Sequence, residues 1–342
     1  VGLLSGCLHR GEETSDPVVV DERAQNNILD EDNGYTEVDL GLGELANWTL
    51  PVGTVLRPSS GVWIPALSAG SSAMPVVKAT ALSTDTGAFV DVVTSMVMGS
   101  EPNMAIYDVR CSDQVYAWIE IDMLKRNWTL YAQRFSDGAV SGQVSTLGEG
   151  DADWDPPLFA VTGDTVIWQV MPSISGTKTR EYSYCYLWHM GDADAKAVVE
   201  SPGRFAMPPS ISENTVTLAP RVRADKGQFY GITAYNLSDD LATVVDQLVL
   251  PQSVRPFRAV RMGDRFAFSI EANYSSGGLL GRMGTYLGTG DGPFITLIRE
   301  PSAQVSGTEN VFIIKSRASY FVVDTERHTY SILVASNRCV DY

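Results

Sequence analysis

Short apolar or aromatic runs alternate with polar turn residues along most of this chain. Six runs, Val62-Trp63-Ile64, Val115-Tyr116-Ala117-Trp118, Val166-Ile167-Trp168, Val216-Thr217-Leu218, Phe266-Ala267-Phe268 and Val311-Phe312-Ile313-Ile314, start 53, 51, 50, 50 and 45 residues apart. Each follows a polar pair: Ser60-Gly61, Asp113-Gln114, Asp164-Thr165, Asn214-Thr215, Asp264-Arg265 or Glu309-Asn310. Pairs of this kind turn one antiparallel strand into the next.

A second strand is expected after each run, over 76–82, 129–135, 182–189, 229–237, 283–287 and 320–324. A polar turn then leads to a last strand at 89–93, 143–147, 195–199, 242–248, 294–298 and 330–335. With the strand before each polar pair, every repeat holds four. Nowhere do apolar residues recur at three and four positions over several turns, so helices are not expected. Repeats of about this length, each a four-stranded meander, predict an all-β propeller in which every sheet buries its faces against its neighbours.

From about residue 50 to 336 the chain resembles the TolB-like and related six-bladed propellers of bacterial exported proteins. The family's frequent Ser-Pro-Asp-Gly turn is absent, and Ser136-Asp137-Gly138 falls elsewhere in the repeat. That departure transfers the architecture and leaves the family's partners behind. Six blades of four antiparallel strands are expected. Five or seven stay open, because residues 35–58 are poorly patterned and could supply another strand or a closing one.

The first residues carry a different signal. Leu4-Ser5-Gly6-Cys7, followed by polar His9 to Glu13, is similar to the bacterial lipobox. This resemblance implies a lipid-modified Cys7 and a protein at the outer face of the membrane in a bacterial envelope. Residues 1–7 then read as the remnant of a signal peptide. Acidic residues crowd positions 8–34, which are expected to form a flexible tether with Val18–Val20 its one segment able to dock. Residues 35–342 form the propeller domain.

Composition changes the picture of partners. The chain has 25 basic and 41 acidic residues, a net charge of -16. Such a surface repels phosphate backbones, so no nucleic-acid partner is expected.

Candidate chemistry is sparse. Glu149, Asp151, Asp153, Trp154 and Asp155 lie in one acidic loop, a composition able to hold calcium through oxygen ligands, though without the later Glu of a helix-loop-helix calcium loop. The plainer reading of that loop is a solvated connector. With three histidines, no Gly-x-Ser-x-Gly elbow and no His-Glu-x-x-His motif, no catalytic set is assigned. Cys111, Cys185 and Cys339 allow one disulfide at most. Two function classes follow. One is a non-enzymatic module binding a protein or glycan, with no cofactor. The other is a carbohydrate-active hydrolase or lyase using carboxylates at the propeller channel, with Trp63, Trp118 or Trp154 lining a subsite.

Overall fold

The computed structural model describes residues 25–69, 76–224, 227–252, 254–271, 285–289, 294–296, 303–315 and 319–334. Cys7, Val18–Val20 and Cys339 lie outside them. The protein is all-β. Among the described residues the only helical elements are single 3-10 turns at Glu31–Asn33 and Leu237–Asp239, and no helix is long and apolar enough to cross a membrane.

Strands consecutive in sequence make antiparallel meanders, and six sheets form among the described residues. The first holds Thr54–Leu56, Trp63–Ser68, Ala79–Ser83 and Phe89–Val93. The second holds Met104–Ser112, Val115–Asp122, Trp128–Ser136 and Ala139–Gly150, with Ser59–Ser60 on its inner edge. Trp154–Thr162, Thr165–Pro172, Ser183–His189 and Lys196–Ser201 build the third.

In the fourth, Ser210–Ser212 precedes Thr215–Leu218, whose course continues as Arg221–Ala224; both pair with the long Gly227–Asn236, and Val244–Val249 lies outermost. The fifth comprises Pro256–Met262, Arg265–Ile270, Thr285–Gly288 and Phe294–Thr296. The sixth comprises Gln304–Thr308, Val311–Lys315, Ser319–Asp324 and Thr329–Val334. All six apolar runs are second strands of their sheets.

The core lies between the sheets. Five apolar clusters occupy five seams: Tyr116, Trp118 and Phe135 between sheets one and two, Trp128, Phe159 and Trp168 between two and three, and Leu187, Phe205 and Tyr235 between three and four. Phe266, Phe268 and Leu248 fill the next seam, and Met262, Phe312 and Ile314 the last. Each sheet thus stacks face to face on the next in chain order, because its alternating side chains leave it apolar on both faces.

The turns between first and second strands converge. Ser60 Oγ lies 3.2 Å from Thr162 Oγ1, and Ser112 Oγ donates to Gly163 O, which joins sheets one to three. Ser212 Oγ donates to Gly307 O at 3.0 Å, and Glu309 N to Glu213 Oε1 at 3.0 Å, which joins sheet four to sheet six. First strands are therefore innermost, with turn-to-turn hydrogen bonds at one end of the axis among sheets one to three and between sheets four and six. This is the arrangement of a β-propeller.

One segment departs from expectation. Residues 25–34, read from sequence as the end of a tether, begin a strap over the outermost strands. Gln25–Asn27 pairs in parallel with Phe294–Thr296, and Thr36–Glu37 pairs in parallel with Thr329–Tyr330. Ile28, 1% exposed, inserts into the seam between sheets five and six. Tyr35 packs against the same cluster, so two side chains of the strap dock despite its acidic composition.

Candidate functional site

In a meander whose first turns lie at one end of the axis, the second-to-third turns and the connectors between sheets gather at the other. This rim carries the loops 94–103, 123–127, 151–153 and 173–182. Carboxylates fix them.

Glu120, fully buried in a second strand, accepts from Val97 N (2.9 Å), Met98 N (2.8 Å) and Trp118 Nε1 (2.9 Å). Asp122 accepts from Asn103 Nδ2 at 2.7 Å and from the N–H groups of Leu124 and Lys125, both at 2.9 Å. The Lys125 backbone donor, then Asn103, hold its carboxyl below the usual carboxylate range. Pinned in this way, the 123–127 turn turns its side chains outward. Met123 and Leu124 are exposed, the latter 81%.

The acidic loop singled out from sequence joins this rim, but its side chains diverge. Glu149 stays in the strand Ala139–Gly150, opposite Thr129. Asp151 Oδ1 accepts from Asp153 N at 3.0 Å, a local turn. Asp153 accepts from Thr177 N at 2.8 Å and Thr177 Oγ1 at 3.0 Å, and the backbone donor in particular lowers its pKa. Asp155 pairs with Arg204 at 2.8 Å and meets Arg126 at 4.0 Å. Two of the carboxylates thus face donors that a cation would have to displace, so these residues do not fit a calcium cage. Among the described residues no group of three or more His, Cys, Asp or Glu side chains is placed to hold a metal ion.

Trp154 is half-buried, with its carbonyl accepting from Trp128 Nε1 at 2.9 Å and Lys178 Nζ 5.5 Å from its ring. Trp118 is buried, and Trp63 stands edge-on to Phe135 at 5.8 Å in the same seam. Both spend their rings on packing between sheets. Cys111 and Cys185 are free, buried in different seams, and their thiols are pushed well up in pKa by burial.

What the rim presents is a row of apolar tips on fixed backbones: Val97, Met123, Leu124 and Ile174, the last 75% exposed. Exposed basic side chains Lys125, Arg126, Lys178 and Arg180 stand among them. Glu120 and Asp122 were missed as site residues from sequence. Their one signal is a pair of acids closing an otherwise apolar strand, Val115–Asp122.

No protein-family model matches the chain, and no curated protein sequence does. Solved structures with a similar course include an oligogalacturonate lyase from Vibrio parahaemolyticus, at TM-score 0.48 and 8% identity over 84% of this chain and 81% of that one. The β-propeller domain of the Trilobed protease from Pyrococcus furiosus gives TM-score 0.47 and 9% identity over 84% and 85%. An acylaminoacyl peptidase of Pyrococcus horikoshii gives TM-score 0.42 and 11% identity over 68% of this chain, which spans only 39% of that enzyme's length. The chain's own sheets carry the conclusion: this is an all-β protein of β-propeller type.

Proposed function

We propose that the six sheets are the blades of one six-bladed ring, held at the outer face of a bacterial membrane by an acylated Cys7, and that the ring is a non-enzymatic module. Its partner, a protein or a glycan, meets the rim formed by 94–103, 123–127 and 173–182. The observation that carries this reading is the use made of the rim's buried and half-buried carboxylates. Glu120, Asp122, Asp153 and Asp155 are all committed to donors within the protein. A hydrolase or lyase needs acids free to exchange protons with substrate. A binding surface needs loops whose shape is set before the partner arrives, which saves ordering entropy. The anchor is supported by Leu4-Ser5-Gly6-Cys7 and the polar stretch after it.

The test pairs two assays on the full chain. Immobilised glycans and purified envelope proteins are screened for binding, and the same glycans are then assayed for new reducing or unsaturated ends. The expected result is a ligand retained without turnover and lost in the double variant Leu124→Asp/Ile174→Asp. Product formation by the wild-type chain would transfer the protein to the carbohydrate-active class. The anchor is checked separately, by incorporation of labelled palmitate that Cys7→Ala abolishes.

A further inference from the structure

Most outer edges of this protein are protected. In sheets one to four the pairing between the third and outermost strands is broken by register shifts, at Ala79/Thr80, Leu130/Tyr131, Cys185/Tyr186 and Ala234/Tyr235. Such bulges twist an edge away from further pairing. Sheet five is capped by Gln25–Asn27. Sheet six is neither bulged nor fully capped: its outer pair runs unbroken from Ser319 opposite Val334 to Asp324 opposite Thr329.

The strap covers only the first half of that edge. Thr36 N donates to His328 O at 3.0 Å and Val38 N to Tyr330 O at 2.9 Å. A strand presents the same edge every second residue, so the main-chain groups of Ile332 and Val334 face it too. Among the described residues no strand pairs with them there. Past Val38 the strap turns off, with Gly41 N bonded to Asp39 Oδ1 at 2.9 Å, and a groove opens between Glu37–Leu40 and Ser331–Leu333. Beside it Ile332 is 42% and Val334 85% exposed. Its lining contributes two carboxylates, Glu37 and Asp39, and no basic side chain.

We infer that this edge docks an extended strand of a partner protein that carries Lys or Arg on the same face as its apolar residues, since Glu37 shares the face of Tyr330, Ile332 and Val334. Main-chain hydrogen bonds to Ile332 and Val334 extend the sixth sheet, apolar side chains of the incoming strand cover theirs, and its cations meet Glu37 and Asp39. The inference deepens the binding-module reading by naming a partner class, at a surface separate from the rim.

A fluorescent peptide of about eight residues, with Val and Lys together on one face and Thr on the other, is titrated against the full chain and followed by anisotropy. Binding is expected, weakened at least about tenfold by Val334→Pro, which removes one edge N–H from an outermost strand that tolerates proline. The same weakening is expected with Glu in place of Lys in the peptide, and with N-methyl groups on its edge-facing amides, a change that leaves the protein untouched. Equal affinity for the N-methylated peptide overturns the proposal, as does a wild-type dimer made monomeric by Val334→Pro, which would assign the edge to a second copy. A wild-type chain that ignores the peptide also overturns it. That result leaves the rim standing, since the rim is tested by Leu124→Asp/Ile174→Asp.

Discussion

Glu120 shows how a single residue sets local shape. Its carboxylate takes three donors, two of them main-chain N–H groups of a loop that belongs to the connection before its own sheet. Glu120→Gln keeps the volume but turns an NH₂ toward one of those donors. An unmatched buried donor costs about 1–3 kcal/mol, so the denaturant midpoint is expected to fall accordingly. A midpoint equal to wild type would mean that the 94–103 loop is held by other contacts. Glu309 shows the opposite case, a residue working against its backbone. With φ of 46° it occupies the left-handed region that Gly163 and Gly263 occupy in the matching turns of sheets three and five, at 52° and 54°. Glu309→Gly keeps the main-chain bond to Glu213 and relieves about 1 kcal/mol of strain, and is expected to raise Tm. A lowered Tm would show that the Glu309 side chain contributes more than its backbone loses.

At the scale of elements, second strands were readable because their side chains alternate between two apolar seams, as in Val115–Asp122 and Thr165–Pro172. Inner strands were less so: Met104–Ser112 interrupts its apolar pattern with Asp108 and Arg110, which pair with each other at 2.7 Å. The strap left no pattern at all, since Gln25–Asn27 and Thr36–Glu37 pair through main-chain groups that any side chain allows. Glu120's role was hidden for a related reason, its main-chain donors Val97 and Met98 lying in a loop distant in sequence.

Between sheets three and four lies a polar clasp of the same kind. His189 Nε2 meets Asp240 Oδ1 at 2.7 Å, Asp240 Oδ2 takes Lys196 Nζ at 2.9 Å, and the other face of the imidazole meets Thr165 Oγ1 at 2.9 Å and Asp164 at 3.4 Å. Partial burial lowers the His189 pKa, but the hydrogen bonds to Asp240 and Asp164 outweigh it and the net shift is upward from 6.5. Its stabilisation is therefore complete below that value and lost as pH rises through the folded pKa. Asp240 is lowered, first by the His189 hydrogen bond and then by Lys196, so its share is present above 3.8 and lost as pH falls through the folded value. The stability difference between wild type and His189→Asn is thus expected to peak between those two reference values and shrink on either side. A difference that keeps the same size from well below 3.8 to well above 6.5, in urea melts at each pH, would remove the clasp from the account.

At the scale of the molecule, five seams are sealed by apolar clusters, and none among the described residues joins sheets six and one. A ring built this way depends on its last two sheets being held by something other than the first. The strap adds to the hold that sheet four gives through Ser212–Gly307 and Glu213–Glu309. It lies on the outer strand of sheet five, then on that of sheet six, and the same chain continues into Thr54–Leu56 of sheet one. Ile28 is its apolar pin, packed with Val260, Phe312 and Ile314. Removing most of a buried Ile side chain costs about 2–5 kcal/mol, and Ile28→Ala is expected to spend that loss locally. Amide exchange should accelerate in 304–315 and 319–334 while Val115–Asp122 and Thr165–Pro172, each packed on two neighbours, keep their protection. Equal acceleration in all sheets would instead mean that the ring opens as one cooperative unit. The strap would then be only one contact among many, and not the fastening between the two ends of the ring.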